Sequence, residues 1–177
     1  MDFDVWLGFF AACWVISLSP GAGAIASMSS GLQFGFRRGY WNVIGLQLAL
    51  ALQILIVAAG VGAVLATSAL AFNLIKWFGV AYLLYLAYKQ WQQPPSVVSA
   101  EQRAEQQVQP LAMMFRGFLV NISNPKAIVF MLAVLPQFIT PSEPLVPQYG
   151  LMMATMIAVD MIVMAGYTCL AAKVLLF

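Results

Sequence analysis

The 177-residue chain is 63% hydrophobic and 8% charged, with a mean hydropathy of +0.89 and a formal net charge of +2. A soluble domain carries about a quarter charged residues, so these values exclude a water-covered surface and leave lipid as the solvent. The small net charge, without a basic run, argues against nucleic acid, and the absence of histidine removes the commonest metal ligand and neutral-pH proton shuttle, so no metal or cofactor is implied.

The N-terminus, Met1-Asp2-Phe3-Asp4, is acidic and lacks the basic region of a signal peptide. Phe10-Ala11-Ala12-Cys13 is only a faint lipoprotein box, so the first apolar stretch is expected to stay in the mature protein. A membrane-crossing helix needs roughly 20 apolar residues, and five segments supply them. The first covers about residues 5–29 and is interrupted at Ser19-Pro20-Gly21. The second and third cover about 40–66 and 70–88. A polar loop within 91–111 follows. The fourth covers about 112–139, interrupted at Asn124-Pro125-Lys126, and the fifth about 148–173. This predicts an all-α membrane protein of three parts: a three-helix repeat (1–90), a cytoplasmic loop (91–111) and a second, incomplete repeat (112–177). The chain stops just after the fifth span at Leu175-Leu176-Phe177, so it reads either as a five-helix protein or as one missing a sixth helix.

Basic residues flanking short loops set orientation. Arg37 and Arg38, then Lys89, Arg103 and Arg116, then Lys173 all fall on one side, against Lys76 on the other. That side is expected to be cytoplasmic, which places the N-terminus outside. Trp6, Trp41, Trp77 and Trp91 sit near the expected interfaces as belt anchors.

Pro20 and Pro125 lie 105 residues apart, and at that offset Phe10 matches Phe115, Val15 matches Val120 and Ala22 matches Ala127. Each proline breaks the first helix of a three-helix unit, and units with an odd number of helices enter the membrane in opposite directions. The expected architecture is a 3+3 inverted repeat, of which 3+2 helices are seen. Proline removes a backbone donor and frees a carbonyl one turn earlier, which in hydrocarbon must be satisfied by protein or cavity water. Paired broken helices of this kind form solute sites in transporters. The bland alternative is two ordinary proline kinks.

Asp160 is the one acidic residue deep in a span, where a charge costs at least ~2.5–3.5 kcal/mol. It reads as a proton-carrying or ammonium-binding carboxylate, or as the structural partner of a buried lysine. Lys126 is the deep cation, suited to a solute carboxylate, to neutralising Asp160, or to snorkelling. Asn121 and Asn124 add amides one turn apart, and Asn42, Gln47 and Gln53 offer solute contacts or interhelical hydrogen bonds. Gly21 and Gly23, with Ala22, Ala24 and Ala26, make a smooth face that favours close packing. Cys13 and Cys169 lie in apolar runs and read as small hydrophobes.

Three stretches carry a resemblance: Leu18-Ser19-Pro20-Gly21-Ala22-Gly23-Ala24-Ile25; Lys76-Trp77-Phe78-Gly79-Val80-Ala81-Tyr82-Leu83; and Val120-Asn121-Ile122-Ser123-Asn124-Pro125-Lys126-Ala127, running on to Leu135-Pro136-Gln137-Phe138. Together they resemble the lysine-exporter (LysE/RhtB) superfamily of amino-acid efflux proteins, over essentially the whole chain. Val159-Asp160-Met161-Ile162-Val163-Met164-Ala165-Gly166-Tyr167 looks most like its homoserine/homoserine lactone branch. The resemblance implies a non-enzymatic inner-membrane exporter of an amino acid or its lactone, driven by the proton gradient, with six helices in an inverted repeat. It places the translocation site around Ser19, Pro20, Gly21, Asn124, Pro125 and Lys126, with Asp160 close by for proton coupling; Gly23, Gln47 and Asn121 complete the candidate set. The partners implied are a small amino-acid solute and the lipid bilayer, with self-association plausible for an incomplete bundle. Rival readings are an inactive truncated relative, a passive channel, and a thiol–disulfide electron carrier using Cys13 and Cys169.

Overall fold

The computed structural model describes residues 1–67, 77, 88 and 109–174, and among these the protein is helical with no strand. The third predicted span and most of the polar loop, with Lys76, Lys89, Trp91 and Arg103, lie outside the described residues; Trp77 and Tyr88 are helical and exposed. Helix α1 (Phe3–Leu18) begins after Asp2 and carries Asp4 in its first turn, where a negative charge suits the helix dipole. It stops because Pro20 forces its predecessor out of the α region: Ser19 is extended, at φ −71°, ψ 115°.

The chain resumes as α2 (Ala22–Thr67), which turns a corner at Gly35. The apolar stretch 22–60 would run about 58 Å as a straight helix, nearly twice a bilayer core, so it has to be divided. Gly35 divides it by adopting φ 71°, a left-handed conformation open to glycine and strained for other residues. The first expected span is thus α1 with the segment before Gly35, and the second is the segment after it. No loop separates them, and Arg37 and Arg38 are exposed within the helix just past the corner.

The fourth expected span is α3 (Pro110–Ile122) followed by α4 (Pro125–Ala133) and the 3-10 turn η1 (Leu135–Phe138), bent by 56° at the break. The residue before its proline, Asn124, is extended like Ser19, at φ −74°, ψ 109°. Helix α5 (Leu145–Val174) begins three residues before the expected start. Pro147 falls in its first turn, where the missing amide has no intrahelical acceptor to lose.

The core gathers Phe9, Leu46, Ile54, Met131, Leu135 and Met152, all essentially inaccessible, from α1, α2, α4, η1 and α5. Helices α2 and α3 meet backbone to backbone. A Cβ on Gly45 would collide with the carbonyl of Met114, and one on Gly117 with the carbonyl of Asn42. Small residues allow this approach, and in lipid such packing replaces the hydrophobic drive between helices. Helix α5 covers the other side of α2, with Trp6 Nε1 of α1 donating to Thr155 Oγ1 (3.0 Å). Trp6 is therefore a helix-to-helix contact as well as an aromatic residue near a helix end. With two helices long and apolar enough to cross a membrane, and a third counted from the bent pair, the described part is that of a membrane protein.

Candidate functional site

Each proline leaves one backbone acceptor without its helical donor, at the fourth residue before it. For Pro20 that acceptor is the carbonyl of Ile16, and for Pro125 it is the carbonyl of Asn121. The 105-residue offset relates these two residues as well. Both carbonyls are satisfied, by different means. Lys126 Nζ, from the first turn of α4, donates to Ile16 O (2.9 Å) and also to Ser19 O. Gln53 Nε2, from α2, donates to Asn121 O (2.9 Å), which also accepts from Asn124 N (3.1 Å). Tyr167 of α5 donates its hydroxyl to Leu18 O (2.8 Å), another carbonyl of the last turn of α1.

Asparagines organise the second break. Asn124 caps α4, its side chain accepting from Lys126 N (3.1 Å), as an N-cap should. Asn121 Nδ2 donates to Leu46 O (2.8 Å) and so ties α3 to α2. Both asparagines are buried.

Between the breaks lies a cavity of about 60 Å³, lined by Ser17, Ser19, Asn121, Asn124, Lys126 and Asp160 among others. Asp160 enters from α5, and its Oδ2 accepts from Gln47 Nε2 of α2 at 2.7 Å. Apolar walls come from Leu46, Leu50, Phe130, Met156 and Met164. A few converging polar groups on apolar walls are the usual make-up of a small-molecule site, although this volume holds only a few waters.

Of the sequence candidates, Ser19, Gly21, Gly23, Asn121, Asn124, Lys126 and Asp160 line this cavity. Gln47 reaches it through Asp160. Pro20 and Pro125 do not line it; both are exposed, and they act by the carbonyls they free. Gly21 leaves room for the Lys126 stem: a Cβ there would lie a tight 3.3 Å from Lys126 Cδ. Asn42, weighed with Gln47 and Gln53, is buried outside the cavity. Lys126 and Asp160 share the cavity without forming an ion pair; among the described residues the one ion pair joins the Met1 ammonium to Glu143 (2.6 Å). The carbonyls of Ile16 and Ser19 take the lysine, and Gln47 takes the carboxylate. Three participants escaped the sequence reading: the carbonyl of Ile16, Ser17 and Tyr167. Counting four residues back from each proline would have found the first. Cys13 and Cys169 are both free, Cys13 in the core and Cys169 half-buried.

A family model for the LysE type translocator matches residues 14–176. A Vibrio cholerae protein named as an uncharacterized membrane protein is 42% identical over 173 residues, covering 98% of this chain and 83% of the relative. The homoserine/homoserine lactone efflux protein of Salmonella typhimurium is 38% identical over 175 residues, covering 98% of this chain and 84% of the relative. The leucine efflux protein of the same organism is 28% identical over 142 residues, covering 80% and 66%. No solved structure matches the chain.

Proposed function

The chain belongs to the LysE type translocator family, and from that premise we propose that it exports a small amino acid or its lactone from the cell in exchange for protons. Homoserine and homoserine lactone are the foremost solutes, and threonine a further candidate; similarity to a homoserine/homoserine lactone efflux protein over 98% of the chain supports this choice. The observation that carries the reading is the convergence of two proline breaks, from separate halves of the chain, on one cavity that also holds Lys126 and Asp160.

In this reading the protein is a secondary transporter and not an enzyme. Its two units, residues 1–90 and 112–177, rock about the shared site so that it opens to one side of the membrane at a time. Ser19, Gly21, Gly23, Asn121 and Asn124 surround the solute, while Pro20 leaves the Ile16 carbonyl to an exchangeable donor and Pro125 shapes the opposite wall. Lys126 is the cation that takes the solute's carboxylate. Asp160 carries the proton inward and, once deprotonated, holds the solute's ammonium, with Gln47 fixing its orientation. The location is the bacterial inner membrane with the N-terminus outside, as the basic residues of the chain suggest.

The test is export itself. The chain is expressed in an exporter-deficient bacterium, and intracellular homoserine is followed under load. Lower pools and restored growth are expected, with Asp160→Asn abolishing the pH-gradient dependence and Pro125→Ala slowing efflux at least tenfold. Efflux in Asp160→Asn that still follows the proton gradient would sink the coupling role. Flux indifferent to that gradient in the native chain would instead favour a passive channel.

A further inference from the structure

The groups that hold Lys126 are those that would hold a solute's amine. A primary ammonium has three donors and no acceptor, and Lys126 Nζ uses two of them on Ile16 O and Ser19 O. Those carbonyls end α1, where the helix dipole places negative partial charge. The carboxylate of Asp160 lines the same cavity. Two helix-end carbonyls beside a carboxylate form a recognition set for R–NH3⁺, and that set is now occupied from within the chain.

Space points the same way. The cavity of about 60 Å³ is far below the roughly 300–1,000 Å³ of ordinary ligand pockets. The lysine stem fills part of what an amino acid would need, lying over Gly21, where a Cβ would be 3.3 Å from Cδ and 3.6 Å from Nζ. A solute and the present position of Lys126 exclude one another.

We propose that the carbonyls of Ile16 and Ser19, with Asp160, form the ammonium subsite of the transporter, and that Lys126 occupies it as a tethered stand-in whenever no solute is bound. This rests on the export reading for its purpose, not for its geometry. An incoming amino acid displaces the lysine ammonium and offers it a new partner, the solute's own carboxylate. Lys126 lies in the first turn of α4, whose N-terminal dipole favours the same negative group. A lactone has the ammonium but no carboxylate, so it displaces the lysine without compensating it. Zwitterions are thereby preferred over simple amines, and the empty protein keeps its ammonium subsite filled while it reorients.

The experiment uses the full chain in lipid nanodiscs, with propylammonium chloride and homoserine as probes in calorimetric titrations. Lys126→Met is expected to bind propylammonium at least tenfold more tightly than the native chain and homoserine at least tenfold more weakly. Weakening of both, or an unchanged propylammonium affinity, overturns the proposal and leaves Lys126 as a structural strut. Should that variant fail to fold, the native chain labelled with 15N at the lysine Nζ positions gives a second readout. Saturating propylammonium is expected to move the Lys126 resonance, assigned by its loss in Lys126→Arg; an unmoved resonance overturns the subsite. The export reading fails separately: absence of homoserine efflux beside a propylammonium gain sinks homoserine export and keeps the subsite. Homoserine efflux without that gain does the reverse.

Discussion

The two proline breaks face the same problem and solve it with different donors. At the second break, the freed carbonyl of Asn121 is held by a neutral amide, Gln53, and by a backbone amide, in a region where α2 and α3 touch backbone to backbone at Gly45 and Gly117. At the first, the freed carbonyl of Ile16 is held by one ammonium on a long flexible stem, reaching across from α4. A neutral hydrogen bond between packed helices does not compete with a charged solute. A charged one does, because any other ammonium is an equivalent donor. The difference divides the site into a fixed wall and an exchangeable contact.

The strongest way to break the comparison is to spoil the fixed wall. Gly45→Leu forces side-chain atoms into the Met114 carbonyl, which no rotamer relieves, and is expected to cost about 3 kcal/mol or more. Loss of monodisperse protein in detergent and of resistance to denaturant would register it; native behaviour would mean that α2 and α3 slide freely. Next comes Lys126→Met, which orphans two carbonyls in a partly buried site. A loss of roughly 2 kcal/mol of stability is expected, together with loss of homoserine efflux. Gln53→Leu sharpens the contrast, because Asn121 O keeps its second donor from Asn124. About 1 kcal/mol of stability should go, with efflux within a fewfold of native; efflux lost as completely as with Lys126→Met would erase the distinction between the breaks. Smallest is Tyr167→Phe, removing one exposed hydrogen bond to Leu18 O, at about 0.5 kcal/mol in chemical unfolding.

Much of this was legible in the sequence because lipid imposes strong constraints. Composition alone dictates apolar helices, and a proline dictates both the end of a helix and the extended residue before it, as Ser19 and Asn124 show. The 105-residue offset carries through to the freed carbonyls of Ile16 and Asn121. What stayed hidden were pairings between distant segments. Nothing local to Asp160 says that Gln47, 113 residues away, supplies its hydrogen bond. Nor does anything near Lys126 say that it prefers backbone carbonyls to a carboxylate in the same cavity. Such choices follow from helix packing, here set by Gly45 and Gly117, and not from residue type. The turn between the first two spans was legible too, because Arg37 and Arg38 mark it; what stayed hidden was its form, a single left-handed residue at Gly35 in place of a loop.

That corner also bears on how the chain is threaded into the bilayer as it is made. Insertion machinery reads hydrophobic length, and residues 22–60 present it with one continuous helix long enough for nearly two crossings. Gly35, with Arg37 and Arg38 two and three residues on, divides it: a residue that turns the chain easily and two positive charges that resist translocation. Biogenesis of the first hairpin therefore hangs on a four-residue signal, 35–38, and an error there would invert α1 and carry the Ile16 carbonyl to the wrong side of its lysine before the protein had folded at all.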